Sequence, residues 1–563
     1  MMRAGLNGCP LMVDMLKKGD VMEIKANLVD IYNKEIYPVI LKTNKDIVES
    51  ITKTDGVYDT YILPGFIDAH IHIESSMLPP HEFARIAVTH GSVATVSDPH
   101  EIANVLGISG IDFMIESAQK SGFKSYFGAS PCVPATPFET NGFTLGAEDV
   151  EKLLKRDDIY YLSEVMNFPG VIAGDDDMLK KITAAKKHNK PIDGHAPALS
   201  GEDLQTYIDA GISTDHEAFT YKEAKEKLER GMKILIREGS AAKNYEVLHP
   251  LIDEYYENMM FCSDDKHPDD LVKSHINELL KRSIKHGHDL FKVLQMACIN
   301  PVKHYNLDVG TLKAGDKADF IEVSNLKDFK VLKTVINGKT VFDNGVINLK
   351  HQKSSTPNNF NISKKNEDDF KITHKCKNYN IIDVINTQLL TQKETQHLQI
   401  KNGIVQTNLQ KDILLISVTN RYNDAKPSLA FVHGFGLKGG AIASSVAHDS
   451  HNIISVGCDA KSMMLAVNQI IKSKGGICVV DENDNITHLS LPIAGLMSDM
   501  DGFEVAKKYA EIDNIVKTKL KSRLDAPFMS LSFMALLVIP QLKLSDKGLF
   551  DTESFHFIKE CEV

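Results

Sequence analysis

One local word limits the folds open to this chain more than any other: Pro64, Gly65, Phe66, Ile67, Asp68, Ala69, His70, Ile71 and His72 in succession. An apolar strand leaves a Pro-Gly corner and ends in two histidines at i and i+2. Side chains two apart on a strand share a face, so both imidazoles aim at one point. Neutral imidazole is the commonest metal ligand, and two on one point fit a divalent cation. A bare His-x-His is as readily a pair of solvated strand-end side chains. The rest of the chain decides between them.

Four more short apolar runs end in a ligand-type residue. Ile159 to Ser163 leads to Glu164, and Ile192, Asp193 and Gly194 lead to His195. Ile212, Ser213, Thr214 and Asp215 lead to His216, and Met260, Phe261, Cys262 and Ser263 to Asp264. A (β/α)8 barrel spends roughly 30 residues per unit. At that pace His72 and Glu164 stand about three units apart. The steps to His195 and to His216 are about one each, and the step to Asp264 is close to two. The five sites then end strands 1, 4, 5, 6 and 8. Those ends share one rim, the face on which such barrels carry their active sites.

This register and the words around it resemble the amidohydrolase superfamily, metal-dependent hydrolases on a distorted barrel. Asp68-Ala69-His70-Ile71-His72-Ile73-Glu74-Ser75-Ser76-Met77 and Ser97-Asp98-Pro99-His100-Glu101-Ile102-Ala103-Asn104-Val105 narrow it further. With Ser163-Glu164-Val165-Met166-Asn167 and Cys262-Ser263-Asp264-Asp265-Lys266-His267-Pro268, they resemble the adenine deaminase family, nearly end to end. The resemblance implies hydrolysis of adenine to hypoxanthine and ammonia by a metal-activated hydroxide, in purine salvage or catabolism. Alternatives are a cyclic-amide hydrolase of the dihydroorotase or hydantoinase kind, and a metal-binding scaffold without turnover.

Binuclear members of the superfamily usually bridge their metals with a carboxylated lysine from strand 4. Here Glu164 stands at that place, and its two oxygens can each take one ion. The expected set is His70, His72, Glu164 and Asp264 on one metal, with Glu164, His195 and His216 on the other. Such donors suit manganese, iron or zinc, and the resemblance favours Mn2+ or Fe2+, with Mn2+ first. Asp264 is the expected general base by position. Mononuclear deaminases of the superfamily carry a glutamate three residues after the strand 5 histidine, where this chain has Ala198. His100 and Glu101, after strand 2, are the expected substitutes for that proton shuttle, although a plain helix start explains them equally. Arg237, ending strand 7, either orients substrate or pairs with Glu238 at the surface. In the C-terminal region, His433, His448 and His451 either close over the barrel mouth, bind a further ion or pack in an interdomain turn.

The remaining composition excludes more than it selects. A chain of 563 residues exceeds one core. Net charge is −11 with no basic tract, which excludes a nucleic-acid partner. The 8 cysteines are scattered without Cys-x-x-Cys, which predicts no disulfide framework and a reducing, cytoplasmic setting. The first twenty residues lack a signal-peptide core. The apolar run 533–540 is far shorter than the roughly 20 residues that span a bilayer and reads as a buried strand or helix. No membrane partner is expected, and a homo-oligomer is compatible with the sequence.

The predicted class is α/β, a distorted (β/α)8 metal-dependent hydrolase barrel with two additions. Residues 1–60 and 306–350 form a composite β-sandwich, with Asn337-Gly338 as a hairpin turn. Residues 61–305 form the barrel, with helices over 110–120, 176–188 and 269–286. Residues 351–370 are a polar linker, and 371–563 an adenine-deaminase-type C-terminal domain, α/β or α+β.

Overall fold

Alternation of short apolar strands with amphipathic helices gives a parallel barrel here, and the antiparallel pieces on either side of it in sequence meet as one sheet. The computed structural model describes residues 21–373, 376 and 378–562, so the expectations for residues 1–20 fall outside the described residues. Strands Val21–Asp30, Glu35–Asn44, Ile47–Lys53 and Tyr61–Pro64 join Phe320–Val323, Val331–Ile336, Lys339–Asp343 and Val346–Ile347 in one eight-stranded mixed sheet. Leu28, Val39, Leu41, Ile62, Phe320 and Val335 form a core of its own. Asn337 and Gly338 both take positive φ (48° and 69°), the geometry of a two-residue hairpin turn. Tyr61–Pro64 belongs to this sheet, and the barrel starts one residue past the Pro-Gly corner, at Phe66.

The eight barrel strands are Phe66–Ile71, Ser92–Ser97, Lys124–Ala129, Ile159–Val165, Ile192–Gly194, Thr214–Asp215, Lys233–Arg237 and Met259–Cys262. They pair in parallel as a run of five and a run of three. Between the runs Ser213 N–H donates to Ile192 O at 2.9 Å. A Cβ on Gly194 would lie 2.4 Å from Thr214 O, so only glycine allows this approach. The last strand meets the first through Asp264: its N–H donates to His70 O (3.0 Å), and its O accepts from His72 N–H (3.3 Å). Asp264 takes φ 54° to do so, a left-handed conformation unusual outside glycine.

The helix expected over 269–286 is two helices, Pro268–Lys273 and Ile276–Lys285. His275 breaks it. Its side chain turns inward, Nε2 2.8 Å from Asp68 Oδ2 and Nδ1 2.5 Å from Ser92 Oγ, and its backbone leaves the helical region (φ −133°, ψ −139°). Apolar periodicity runs through the break and does not register it.

Residues 351–366 have no regular structure but are threaded against both domains. Gln352 O accepts from His81 (2.9 Å), and Asn359 O accepts from the buried Arg421 (3.2 Å). The C-terminal domain is built on a nine-stranded mixed sheet, with helix Ala460–Ser473 packed on it through Met463, Ala466, Val467 and Ile470. Cys376 and Cys561 form a disulfide there, contrary to the cysteine expectation. Strand Asn378–Val384 pairs with Cys561–Glu562 and brings together residues 185 apart in sequence, which spacing alone does not reveal. The 533–540 run is neither strand nor helix beyond its first residue; Pro527–Phe533 is helical and an irregular segment comes after it. Among the described residues, no helix is long and apolar enough to cross a membrane.

Candidate metal centre

Strand ends deliver the predicted residues to one rim. His70 and His72 close strand 1, Glu164 sits in strand 4, His195 and His216 directly follow strands 5 and 6, and Asp264 lies two residues beyond strand 8. All are buried. His72 Nδ1 lies 3.1 Å from Asp98 O, an atom that only accepts. In the neutral ring Nδ1 therefore carries the proton, and Nε2 turns its lone pair to the cluster. That Nε2 lies 3.1 Å from Asp264 Oδ1 and 3.2 Å from Glu164 Oε1. His70 Nε2 is 3.5 Å from Asp264 Oδ1, and its ring stacks on His216 with centroids 4.0 Å apart.

Glu164 divides its oxygens between two groups. Oε1 faces His72 and His100 Nδ1, each at 3.2 Å. Oε2 faces His195 Nδ1 at 2.7 Å and His216 Nε2 at 3.2 Å. Burial alone would raise its carboxyl, but the field of His195 and hydrogen bonds from His100, His195 and His216 hold it well below the usual carboxylate range. Asp264 is held low in the same way: burial opposes, while the Arg237 guanidinium, His70 and His72 prevail.

Arg237 is buried and has no pairing with Glu238, which corrects the surface alternative. Its Nη1 is 2.6 Å from Asp264 Oδ2, and its guanidinium also pairs with Glu217. Glu238 instead meets Arg282 at 2.7 Å. Glu217 was not anticipated. It lies 3.6 Å from His216 Nε2 and 3.7 Å from His195 Nδ1, next in sequence to His216. Strand 6 stops at Asp215, so strict alternation ends there and adjacent residues can both face the cluster.

His100 and Glu101 begin helix His100–Leu106, as the helix-start reading has it, and both also line the cavity. His100 Nδ1 lies 3.1 Å from Asp98 Oδ2 and its Nε2 3.3 Å from Glu101 Oε1. Glu74, in the short 3-10 helix Ile73–Ser76 after strand 1, accepts from Ile102 N–H at 3.2 Å and ties the helix start to the segment that follows the ligand strand. The C-terminal domain completes the shell. His448 Nδ1 is 2.5 Å from Glu101 Oε1, and His451 pairs with Glu101 Oε2. Asp449 lies 3.9 Å from His100 Nε2, and its buried Oδ2 has no partner. His433 is elsewhere, half-exposed and 2.5 Å from Asp383 Oδ1. Asp98, Asp449 and Asp265, the last accepting from Ser75 Oγ at 2.5 Å, also escaped the sequence reading of the site. For Asp98 a signal existed, since it stands inside the word that singled out His100.

The donor set suits a divalent cation. Both ring nitrogens of buried His70 and Nε2 of His195 lack a hydrogen-bond partner, although buried polar atoms are ordinarily paired. Among the described residues lining the cavity, Arg237 is the only arginine or lysine facing Glu101, Glu164, Glu217, Asp264, Asp265 and Asp449. Without another positive charge His195 is pulled up to about 9, burial being outweighed by Glu217 and Glu164. Cations would satisfy the same acids and leave the imidazoles neutral. The cavity has about 40 Å³ of space open to water-sized molecules.

Residues 61–341 match the amidohydrolase family, which is the class that the barrel and its rim cluster define. Residues 388–556 match the adenine deaminase C-terminal domain. An adenine deaminase of Sulfurovum sp. (strain NBC37-1) is 59% identical over 540 residues, covering 96% of this chain and 100% of its own length. Those of Borreliella burgdorferi and Methanosarcina acetivorans are 51% and 48% identical, covering 96% and 94% of this chain and 100% and 98% of their own. The chain belongs to the adenine deaminase family.

Proposed function

We infer that the protein hydrolyses adenine to hypoxanthine and ammonia at a pair of divalent cations. Full-length likeness to adenine deaminases carries the reaction. The division of Glu164 between two imidazole groups supports a pair of ions over one. His70, His72, Glu164 and Asp264 would hold one, and Glu164, His195 and His216 the other. Carboxylate and imidazole donors without thiolate suit Mn2+ or Fe2+, with Zn2+ as a further candidate. When bound, the cations supply the Lewis acidity that lets water act as a nucleophile near neutral pH.

The chain's own residues then manage four proton movements: two off the attacking oxygen, first as water and then as the C6 hydroxyl that becomes the carbonyl, one onto N1 and one onto the leaving amine. Asp264 is ionised and aimed. Arg237 fixes Oδ2, leaving Oδ1 toward the cluster to accept the proton from water. Glu101 faces His100 and His448 and links the barrel acids to the C-terminal domain. It is the proposed carrier of protons to the purine, with His100 as its neighbour in the relay. Glu164 at the strand 4 position counts against a cyclic-amide hydrolase, whose sites carry lysine there.

Ultraviolet spectra of metal-loaded protein test this directly. Adenine is expected to convert to hypoxanthine with one ammonia released per base. Absence of conversion overturns the reaction, and full-rate conversion by protein holding one ion or none overturns the pair.

A further inference from the structure

The cavity has two unlike faces. One is the polar barrel rim. The other is apolar, made by Leu389, Phe533, Leu536 and Val538 of the C-terminal domain. A purine with C6 at the polar rim would turn its N3/N9 edge away from it, and the apolar side chains are the cavity's other lining. Leu389 also borders an outer groove with Phe219, Leu390 and Ile539, a groove that Glu217 and Arg237 of the rim border too.

Two separate segments build this face. One connects strands Asn378–Val384 and Thr391–His397, and the other is the end of helix Pro527–Phe533 with the irregular stretch after it. Irregular backbone must find partners outside a ladder. Lys543, from strand Leu542–Ser545, supplies them: Nζ donates to Leu389 O at 2.7 Å and to Phe533 O at 3.0 Å. Thr391 adds a second stitch, its Oγ1 accepting from Gln541 and Leu542 N–H, each at 3.1 Å. Lys543 is completely buried, and among the described residues no carboxylate pairs with it. A buried ammonium without a counter-ion opposes folding. What it visibly accomplishes is to fasten both segments to one strand.

We propose that Leu389 and Phe533, held in place by Lys543, confine the site to the free base by denying space to a substituent at N9. Lys543 is a positioning residue that acts through the two carbonyls. The inference rests on the proposed deamination of adenine and adds to it the residues that set its selectivity.

The test compares kcat and KM of metal-loaded wild type, Leu389→Ala, Phe533→Ala and Lys543→Met on adenine and 9-methyladenine. One methyl group in a fitted apolar site changes selectivity by about 10–200-fold. Each alanine variant is expected to raise the ratio of kcat/KM for 9-methyladenine over adenine by tenfold or more. The ratio cancels any loss common to both substrates, such as one through His448, whose ring lies 5.3 Å from Phe533. Lys543→Met is expected to raise KM for adenine at least fivefold with kcat within twofold and an undiminished unfolding midpoint. Ratios within twofold of wild type in both alanine variants overturn the inference, as does an unchanged KM in folded Lys543→Met. If Lys543→Met does not fold, the alanine ratios decide alone. Wild type that leaves adenine intact overturns the functional reading and this inference together; wild type that deaminates adenine while the ratios stay fixed overturns only the selectivity.

Discussion

Arg237 holds Asp264 through Nη1 and Oδ2 at 2.6 Å, which leaves Oδ1 facing His72 at 3.1 Å. Both side chains are buried, so removing the guanidinium strands two acids, Asp264 and Glu217, away from water. Loss of one partner from such a pair costs about 3–5 kcal/mol. Arg237→Met is expected to lose that much stability in denaturant unfolding and to lower kcat at least tenfold. Arg237→Lys keeps the charge without the fork and should fall between. A methionine variant as stable and as fast as wild type would remove Arg237 from the site.

Glu164→Gln tests the bridge. Glutamine keeps the size but exchanges one oxygen for an NH2 group that only donates. Elemental analysis after desalting should find occupancy reduced, with adenine turnover lost in parallel. Two ions per chain in the variant would refute the division of labour between Oε1 and Oε2.

Chelation should act on stability as well as rate. Ions that bind only the native state stabilise it by about 2.7 kcal/mol at one hundred times Kd. Removing them frees the mutual repulsion of Glu101, Glu164, Glu217, Asp264 and Asp449. The unfolding midpoint is expected to drop on chelation and return as Mn2+ is added, reaching a plateau at two equivalents. A plateau at one, or an unmoved midpoint, contradicts the pair.

How far the sequence carried the reading depends on the reach of its signals. Strand ends recur at a fixed pace in a barrel, so His70, His72, Glu164, His195, His216 and Asp264 fell into register before any coordinates. Arg237 was visible as a strand end, but not its burial, because Glu217 and Asp264 approach it from other strands. His275 sits inside apolar periodicity and breaks its helix for the sake of Asp68, a contact 207 residues away. The 533–540 run looked like a core element because apolar residues lining a cavity are indistinguishable in sequence from apolar residues packed against one another. Residues 376 and 561 meet only because two strand termini pair.

Lys543 yields a prediction in pH. Burial pushes its ammonium down to about 7 from an ordinary 10.5. Below pH 7 the group is charged in both states, and the folded state bears the full desolvation penalty. Between pH 7 and 10.5 the unfolded chain keeps the proton while the folded chain has released it. The unfolded state then binds more protons, so stability rises with pH across that window. Lys543→Met has no such group. Its stability advantage over wild type should therefore be largest near pH 6 and shrink by roughly 2–4 kcal/mol by pH 9.5. Taking the difference between the two proteins cancels other titrating groups, and urea unfolding at matched pH measures it. A difference that stays flat, or widens as pH rises, would show that the Lys543 nitrogen keeps its proton in the native state.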